Sequence, residues 1–199
     1  TQIPKVFLDT SSLVAPDELN GDLLLMESRT SVRRITCHLL EQGRTLPGFI
    51  GDISYAQSNR ERYEGFCQAL ADAGKKVDSS LCLTTPLGID TYREEIDTFL
   101  SSLSRMPDAF VCASDYVACI LMQLLEKRGL RVPEDVAVSG FDNNTEDLLA
   151  EHLTTVQVFN EELGARLALQ ILYRIKYPNT PHEITYLGTN VLYRDSTGD

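Results

Sequence analysis

Several short runs in this chain are apolar at successive positions: Leu23-Leu24-Leu25-Met26, Pro47-Gly48-Phe49-Ile50-Gly51 and the centre of Pro107–Ala113 (PDAFVCA). A strand with one wet face alternates apolar and polar residues. These runs do not alternate, so the sheet they build is covered on both faces, which means parallel strands with helices above and below. The segments between them carry the helical period. Val32, Ile35, Leu39 and Leu40, within 30–42, recur at i, i+3, i+7 and i+8, and Gly43 stands where such a helix ends. Tyr63, Phe66, Leu70 and Ala73 line a second helix closed by Gly74; Ile96, Phe99, Leu100 and Leu103 line a third. Val117, Ile120, Leu121, Leu124 and Leu125 line a fourth, closed by Gly129, and Leu163, Leu167, Ile171, Leu172 and Ile175 a fifth, ending near Lys176. Ser58 with Glu61, and Thr91 with Glu94, have the S/T-x-x-E spacing of capping boxes. Ser114 or Asp115 is placed to cap the fourth helix and Asn160 the fifth. Further strands are expected at Val6–Leu8, Val77–Leu83, Val136–Phe141 and Leu153–Phe159, with a loop over 9–21 and an extended tail over 183–194.

The order is therefore β-α-β-α along most of the chain, with no internal repeat. A two-lobed arrangement would break near 51–55 or near 153–160. At 199 residues the chain is long enough to bury a core without cross-links. Its charge excludes some roles. Against 18 basic residues stand 29 acidic ones, a net charge of −11, whereas affinity for nucleic acid comes largely from Lys and Arg neutralising phosphates; an anionic membrane is an equally poor partner. The longest wholly apolar runs, Ala109–Ala113 and Val117–Met122, fall far short of the roughly 18 residues needed to cross a bilayer. The five cysteines, Cys37, Cys67, Cys82, Cys112 and Cys119, are odd in number and fit no C-x-x-C spacing. They read as buried free thiols in a reducing cytoplasm. Thr1-Gln2-Ile3-Pro4-Lys5 has no signal-peptide pattern.

Catalytic patterns are lacking. There is no G-x-S-x-G elbow, no Walker loop, no G-x-G-x-x-G after a strand, and no metal-ligand spacing among His, Cys and carboxylates. Glu94-Glu95 and Glu161-Glu162 open helices, where the dipole favours acidic side chains. No enzyme activity, cofactor or metal is expected. In parallel sheets, however, ligands sit just beyond the carboxyl ends of the strands. That rule nominates residues 52–62 after PGFIG, Ser114-Asp115 after PDAFVCA, Asp142-Asn143-Asn144 after VAVSGF, and Phe159-Asn160 after LTTVQV. Short polar side chains, a guanidinium and an aromatic suit a polyol. Ser58 and Asn160 read equally as plain caps, Arg60 and Arg62 as surface charges, and Tyr55 and Tyr92 as packing or surface residues.

From Pro107 to Asn143 the sequence closely resembles the effector-binding domain of the LacI/GalR family of bacterial transcription repressors. Ser114-Asp115 stands where that family has Asn/Ser-Asp, and Gly129-Leu130-Arg131-Val132-Pro133-Glu134-Asp135-Val136 and Gly140-Phe141-Asp142 follow its pattern. Arg62-x-x-Gly65-Phe66 with Ala69-Leu70, Leu153-Thr154-Thr155-Val156 with Glu162-Leu163-Gly164, and Arg194-Asp195-Ser196-Thr197 agree with further family segments. The resemblance implies an α/β, periplasmic-binding-protein-like fold, with two doubly wound parallel-sheet lobes and a cleft between them for a small effector, usually a sugar. It implies residues 1–52 in a partial N-terminal lobe, 53–156 in the C-terminal lobe, and 157–199 returning to the N-terminal lobe and tail. Arg62, Asp142 and Ser114 match ligand-contacting positions of the family, Ser58 and Glu27 further cleft positions, and Phe159 the aromatic after L-T-T, shifted in this sequence. The implied function is that of a cytoplasmic, homodimeric effector sensor, acting on operator DNA through a helix-turn-helix domain absent from this chain. Ile3–Asp9 would be the fourth strand of its lobe. Two departures are Met26-Glu27-Ser28, where the family commonly has Asp-Asn, and Gln42-Gly43-Arg44, where it commonly has Gly-His. The alternative expectation is a sugar-binding protein of a transport system.

Overall fold

The computed structural model describes residues 3–88, 90–144 and 151–199. In chain order its elements are β1 (Val6–Leu8), β2 (Asp22–Met26), α1 (Arg29–Glu41), β3 (Pro47–Ile50), α2 (Gln57–Asp72), β4 (Cys82–Leu83), α3 (Tyr92–Ser102), β5 (Ala109–Cys112), α4 (Asp115–Lys127), β6 (Ala137–Ser139), β7 (Thr155–Gln157), α5 (Asn160–Lys176), β8 (Ile184–Leu187) and β9 (Asn190–Leu192). Short 3-10 turns lie at Pro16–Glu18, Ser79–Leu81 and Asp195–Thr197.

The strands fall into two parallel sheets. One has the order β1-β2-β8 and the other β4-β3-β5-β6; β7 and β9 form an antiparallel pair beside the second, to which Ser139 and Thr154 add a parallel bridge. The unbroken apolar runs do what their lack of alternation requires. In β5, Phe110 and Cys112 face a cluster with Ile96 and Leu100 of α3 and Val117, Leu121 and Leu124 of α4. The neighbouring Ala109 and Val111 face the opposite side, with Val32 and Ile35 of α1 and Phe66 and Leu70 of α2. Both faces of the second sheet are thus dry. Gly65 lets α1 and α2 approach closely, since a Cβ there would sit 2.2 Å from the Arg29 carbonyl oxygen.

β3 was expected in the first lobe, within residues 1–52. It pairs with β4 and β5 instead, and α1 packs against the same sheet, so the crossing from the first sheet falls between β2 and α1. The chain returns to the first sheet through α5 and β8, then crosses back to pair β9 with β7. The strand expected over 77–83 is reduced to a 3-10 turn and the two residues of β4. Two caps also differ. Asn160 is the first residue inside α5, with Phe159 at the cap position and no side-chain capping bond. Thr91 does cap α3 in position, but its hydroxyl pairs with Glu95 and with the Gly88 carbonyl at 3.3 Å rather than with an amide of α3. None of the five cysteines is in a disulfide; Cys112 and Cys119 are buried and the others half-buried.

The first sheet is tied to α5 by charge. Asp22 at the start of β2 is buried, and its carboxylate accepts from Arg174 Nε at 2.6 Å, Gln170 Nε2 at 2.6 Å and the Glu183 amide at 2.8 Å. Burial pushes its pKa up, but these donors outweigh it and hold the carboxyl below its usual range. Arg174 also donates to the carbonyls of Thr180 and Pro181, fixing the turn before β8. The apolar stripe expected on α5 therefore rotates: Leu163, Gln170 and Arg174 face inward, while Leu172 and Ile175 are each 61% exposed. Breaking a buried pair from one side leaves an uncompensated charge. Arg174→Met is expected to cost about 3–5 kcal/mol in chemical denaturation; a loss below about 1 kcal/mol would contradict the anchoring role.

Candidate functional site

The carboxyl ends of both sheets converge on the first turns of α2. Strand order β4-β3-β5-β6 places the switch point of the second sheet between β3 and β5, where a crevice opens in such folds. Ser58, Glu61 and Arg62, at i, i+3 and i+4 on α2, share one face and are buried although polar. Arg62 lies at the centre. Its guanidinium carbon stands 3.7 Å from the centroid of the Phe141 ring, a cation–π contact against a fully buried aromatic. Nη1 donates to the Ala113 carbonyl at the end of β5 and to Asn59 Oδ1 at 3.4 Å; Nη2 reaches Met26 Sδ at the end of β2 at 3.6 Å and lies 3.6 Å from Asp142 Oδ1. Nε has no hydrogen-bond partner among the described residues. Burial pulls the Arg62 pKa down, and the carboxylates of Asp142, Asp9, Asp115 and Glu61 hold it up against that.

Asp142 follows Phe141 with φ +111°, a conformation unfavourable for a side chain with a Cβ. Its amide donates to the Val156 carbonyl at 3.0 Å, which holds the turn, and the carboxylate is partly open to solvent. Burial raises its pKa while Arg62 lowers it, burial prevailing. Asp115 lies deeper. Its two oxygens accept from Thr155 Oγ1 at 2.6 Å and the Asn144 amide at 2.8 Å. Residue 140 is glycine at a close approach, because a Cβ there would sit 2.2 Å from Asp115 Oδ1. Burial, helped by Asp142, raises the Asp115 carboxyl to about 6 against its hydrogen bonds.

The remaining expected residues divide. Ser58 does not close a capping box. It is the second residue of α2, and a box needs the serine outside the helix; its hydroxyl donates instead to Asp9 Oδ2 at 2.5 Å. Asp9, at the end of β1 with φ +58°, therefore caps α2 from the other sheet. Glu61 accepts from the Tyr186 hydroxyl of β8 at 2.8 Å. With the Gln57 amide on the Thr10 carbonyl at 2.7 Å and Ser12 Oγ on the Ser54 carbonyl at 3.1 Å, these bonds join the two sheets across α2. Ser114 caps α4, accepting from the Val117 amide at 3.3 Å. Glu27 caps α1 through the Thr30 and Ser31 amides at 2.5 and 3.2 Å. Phe159 is 38% exposed at the start of α5 and, among the described residues, makes no hydrogen bond or ring contact with the Arg62 cluster. Asp9, Glu61 and the Phe141 ring belong to the cluster but were not expected as individual site residues, Glu61 being read as the partner of Ser58 in a capping box. Asp9 was legible in principle, as the first polar residue after an apolar strand.

No group of three or more His, Cys, Asp and Glu is placed to hold a metal among the described residues, and no helix among them is long and apolar enough to cross a membrane. Asp115 gives a pH signature. Its folded carboxyl titrates near 6, the unfolded one near 3.9, so its stabilising protonation is fully present below about pH 4 and lost as pH rises through 6. The stability of wild type minus that of Asp115→Asn is expected to fall by on the order of 3 kcal/mol between pH 4 and pH 7. A flat difference by chemical denaturation would contradict it.

A family described as a periplasmic binding protein-like domain matches residues 36–197. The HTH-type transcriptional regulator DegA of Bacillus subtilis (strain 168) is 35% identical over 166 residues, 82% of this chain and 47% of that protein. The HTH-type transcriptional repressor PurR of Actinobacillus pleuropneumoniae is 29% identical over 184 residues, 92% of this chain and 53% of that one. The chain thus spans about half the length of these curated relatives. The structure of the transcriptional regulator CelR in complex with cellobiose superposes with a TM-score of 0.84 at 26% identity, over 96% of this chain and 58% of that one. A LacI-type transcription regulator from Bifidobacterium animalis subsp. lactis shares the fold, with a TM-score of 0.80 at 24% identity over 97% of this chain and 71% of its own.

Proposed function

Since the chain belongs to the family of periplasmic binding protein-like domains, we propose that it is the effector-sensing domain of a LacI-type transcriptional regulator, with the cleft around Arg62 as its effector site and a sugar as the effector. One observation carries this reading. A buried guanidinium from α2, with its Nε unpartnered, lies where strand ends of both sheets meet and faces the partly open Asp142 carboxylate. Asp142 accepts effector hydroxyls, and Arg62 donates from the floor. The cellobiose in the CelR complex and the regulator names of the relatives support the sugar and the regulatory role. Regulators rather than enzymes make up those relatives, and the reading includes no catalysis.

The mechanism is a population shift. The loops of the first sheet and the first turns of α2 move together or apart as the effector engages both, and it moves the equilibrium by its difference in affinity for the two arrangements. In a cytoplasmic homodimer this alters the spacing of helix-turn-helix domains at two operator half-sites. By linkage, the effector and operator change each other's affinity by the same factor.

Thermal unfolding against mono- and disaccharides, cellobiose included, tests the reading. A ligand at about 100 times its Kd adds roughly 2.7 kcal/mol, a rise of several degrees for a domain of this size. One sugar should raise the Tm, and Asp142→Ala should abolish the rise. A panel without effect would overturn the reading. A monomer at every concentration in sedimentation would favour the transport role instead.

A further inference from the structure

The cleft sets the Arg62 guanidinium among several carboxylates, and its helix ends are already taken. Helix N-termini are the usual seat for phosphate, because their free amides and dipole attract anions. Each such terminus around this cleft carries an acceptor of its own. Asp9 occupies the start of α2, Glu27 the start of α1, and Ser114, followed by Asp115, the start of α4. The guanidinium is committed too. Arg62 Nη1 is spent on the Ala113 carbonyl and Asn59, and Nη2 faces Met26 Sδ and Asp142 Oδ1, each at 3.6 Å, so an anion taking the Nε–Nη2 edge would compete with the Asp142 carboxylate for it. Among the described residues Arg62 Nε is without a hydrogen-bond partner, in a side chain 5% exposed. Asp142, Asp9, Asp115 and Glu61 all lie close enough to act on Arg62. Arg60 is two residues away on α2, about 200° around the helix, with Nη2 toward Ser12 Oγ at 3.4 Å and a buried Nε that has no hydrogen-bond partner among the described residues. Arg194, beyond Asp115, donates to the Leu153 carbonyl and to Asn143.

We infer that this cleft takes an uncharged polyhydroxylated effector and rejects the phosphorylated or carboxylated form of the same compound. The inference rests on the effector-site reading and narrows it. Carboxylates accept the hydroxyl hydrogens of a neutral sugar. A phosphate group in the same place meets several like charges, at helix N-termini already taken by Asp9, Glu27 and Ser114. Like charges juxtaposed in a binding site cost several kcal/mol, which at tenfold per 1.4 kcal/mol is at least about a hundredfold in Kd.

The test is calorimetric titration of the chain with neutral mono- and disaccharides, each beside its phosphate ester, at about 50 mM and about 500 mM salt. A neutral sugar should bind, and its ester should bind at least about a hundredfold more weakly. The gap should narrow at high salt, where charge repulsion is screened; a gap unchanged by salt means steric rejection and overturns the electrostatic inference. In Asp9→Asn the ester should gain on the neutral sugar. An ester that binds as well as its parent overturns the inference and leaves the effector reading standing. No binding by any neutral sugar or ester overturns both.

Discussion

A guanidinium buried against an aromatic ring is the constraint on which the rest of this architecture depends. Arginine does not give up its proton at accessible pH, so burying Arg62 on Phe141 obliges the fold to surround it with acceptors. They arrive from both sheets: the Ala113 carbonyl from β5, Asp142 from β6 and the Met26 sulfur from β2. The strands must therefore end close to α2. Isolated buried charges cost far more than paired ones, and this demand places the open acidic edge of Asp142 beside the guanidinium. The positive φ of Asp142 and of Asp9 fits the same picture, since backbone strain persists where surrounding contacts over-determine it.

A second buried charge plays a structural part at the other end of the first sheet. Asp22 and Arg174 bind α5 and the turn before β8 to β2, far from the strand ends that form the cleft. One charge pair locks a sheet to its helix, while around Arg62 the pairing is long and partly open. The contrast matters for motion. The links between sheets across α2 include hydrogen bonds to carboxylates, from the Tyr186 hydroxyl to Glu61 and from the Ser58 hydroxyl and amide to Asp9, each worth about 1.5–3 kcal/mol. The proposed population shift requires these links to break and re-form while both cores stay intact.

Much of this was legible in the sequence, for a local reason. Non-alternating strands such as Leu23–Met26 and helical faces such as Val32, Ile35 and Leu39 carry their period within a dozen residues. Arg62 and Asp142 were nominated because each lies in a segment that follows an apolar strand, where the carboxyl-end rule applies. Misreadings came from partners distant in sequence. Ser58 has the spacing of a cap, but Asp9, 49 residues away, takes its hydroxyl. Gln170 and Arg174 lie on the buried face of α5 because Asp22, 148 and 152 residues away, draws them in. The lobe assignment of β3 depended on strand pairing, which local pattern does not encode. Glu27 and Ser114, matched to ligand positions by resemblance, bond to the starts of α1 and α4, a use that depends on where those helices begin.

Convergence of the two sheets on one effector is the central claim, and amide hydrogen exchange tests it directly. With the sugar that raises the Tm at saturation, protection should increase together in residues 9–12, 57–62, 113–116 and 141–143, drawn from the strand ends of both sheets and the start of α2. Increased protection confined to segments of one sheet, or falling outside these four, would contradict it.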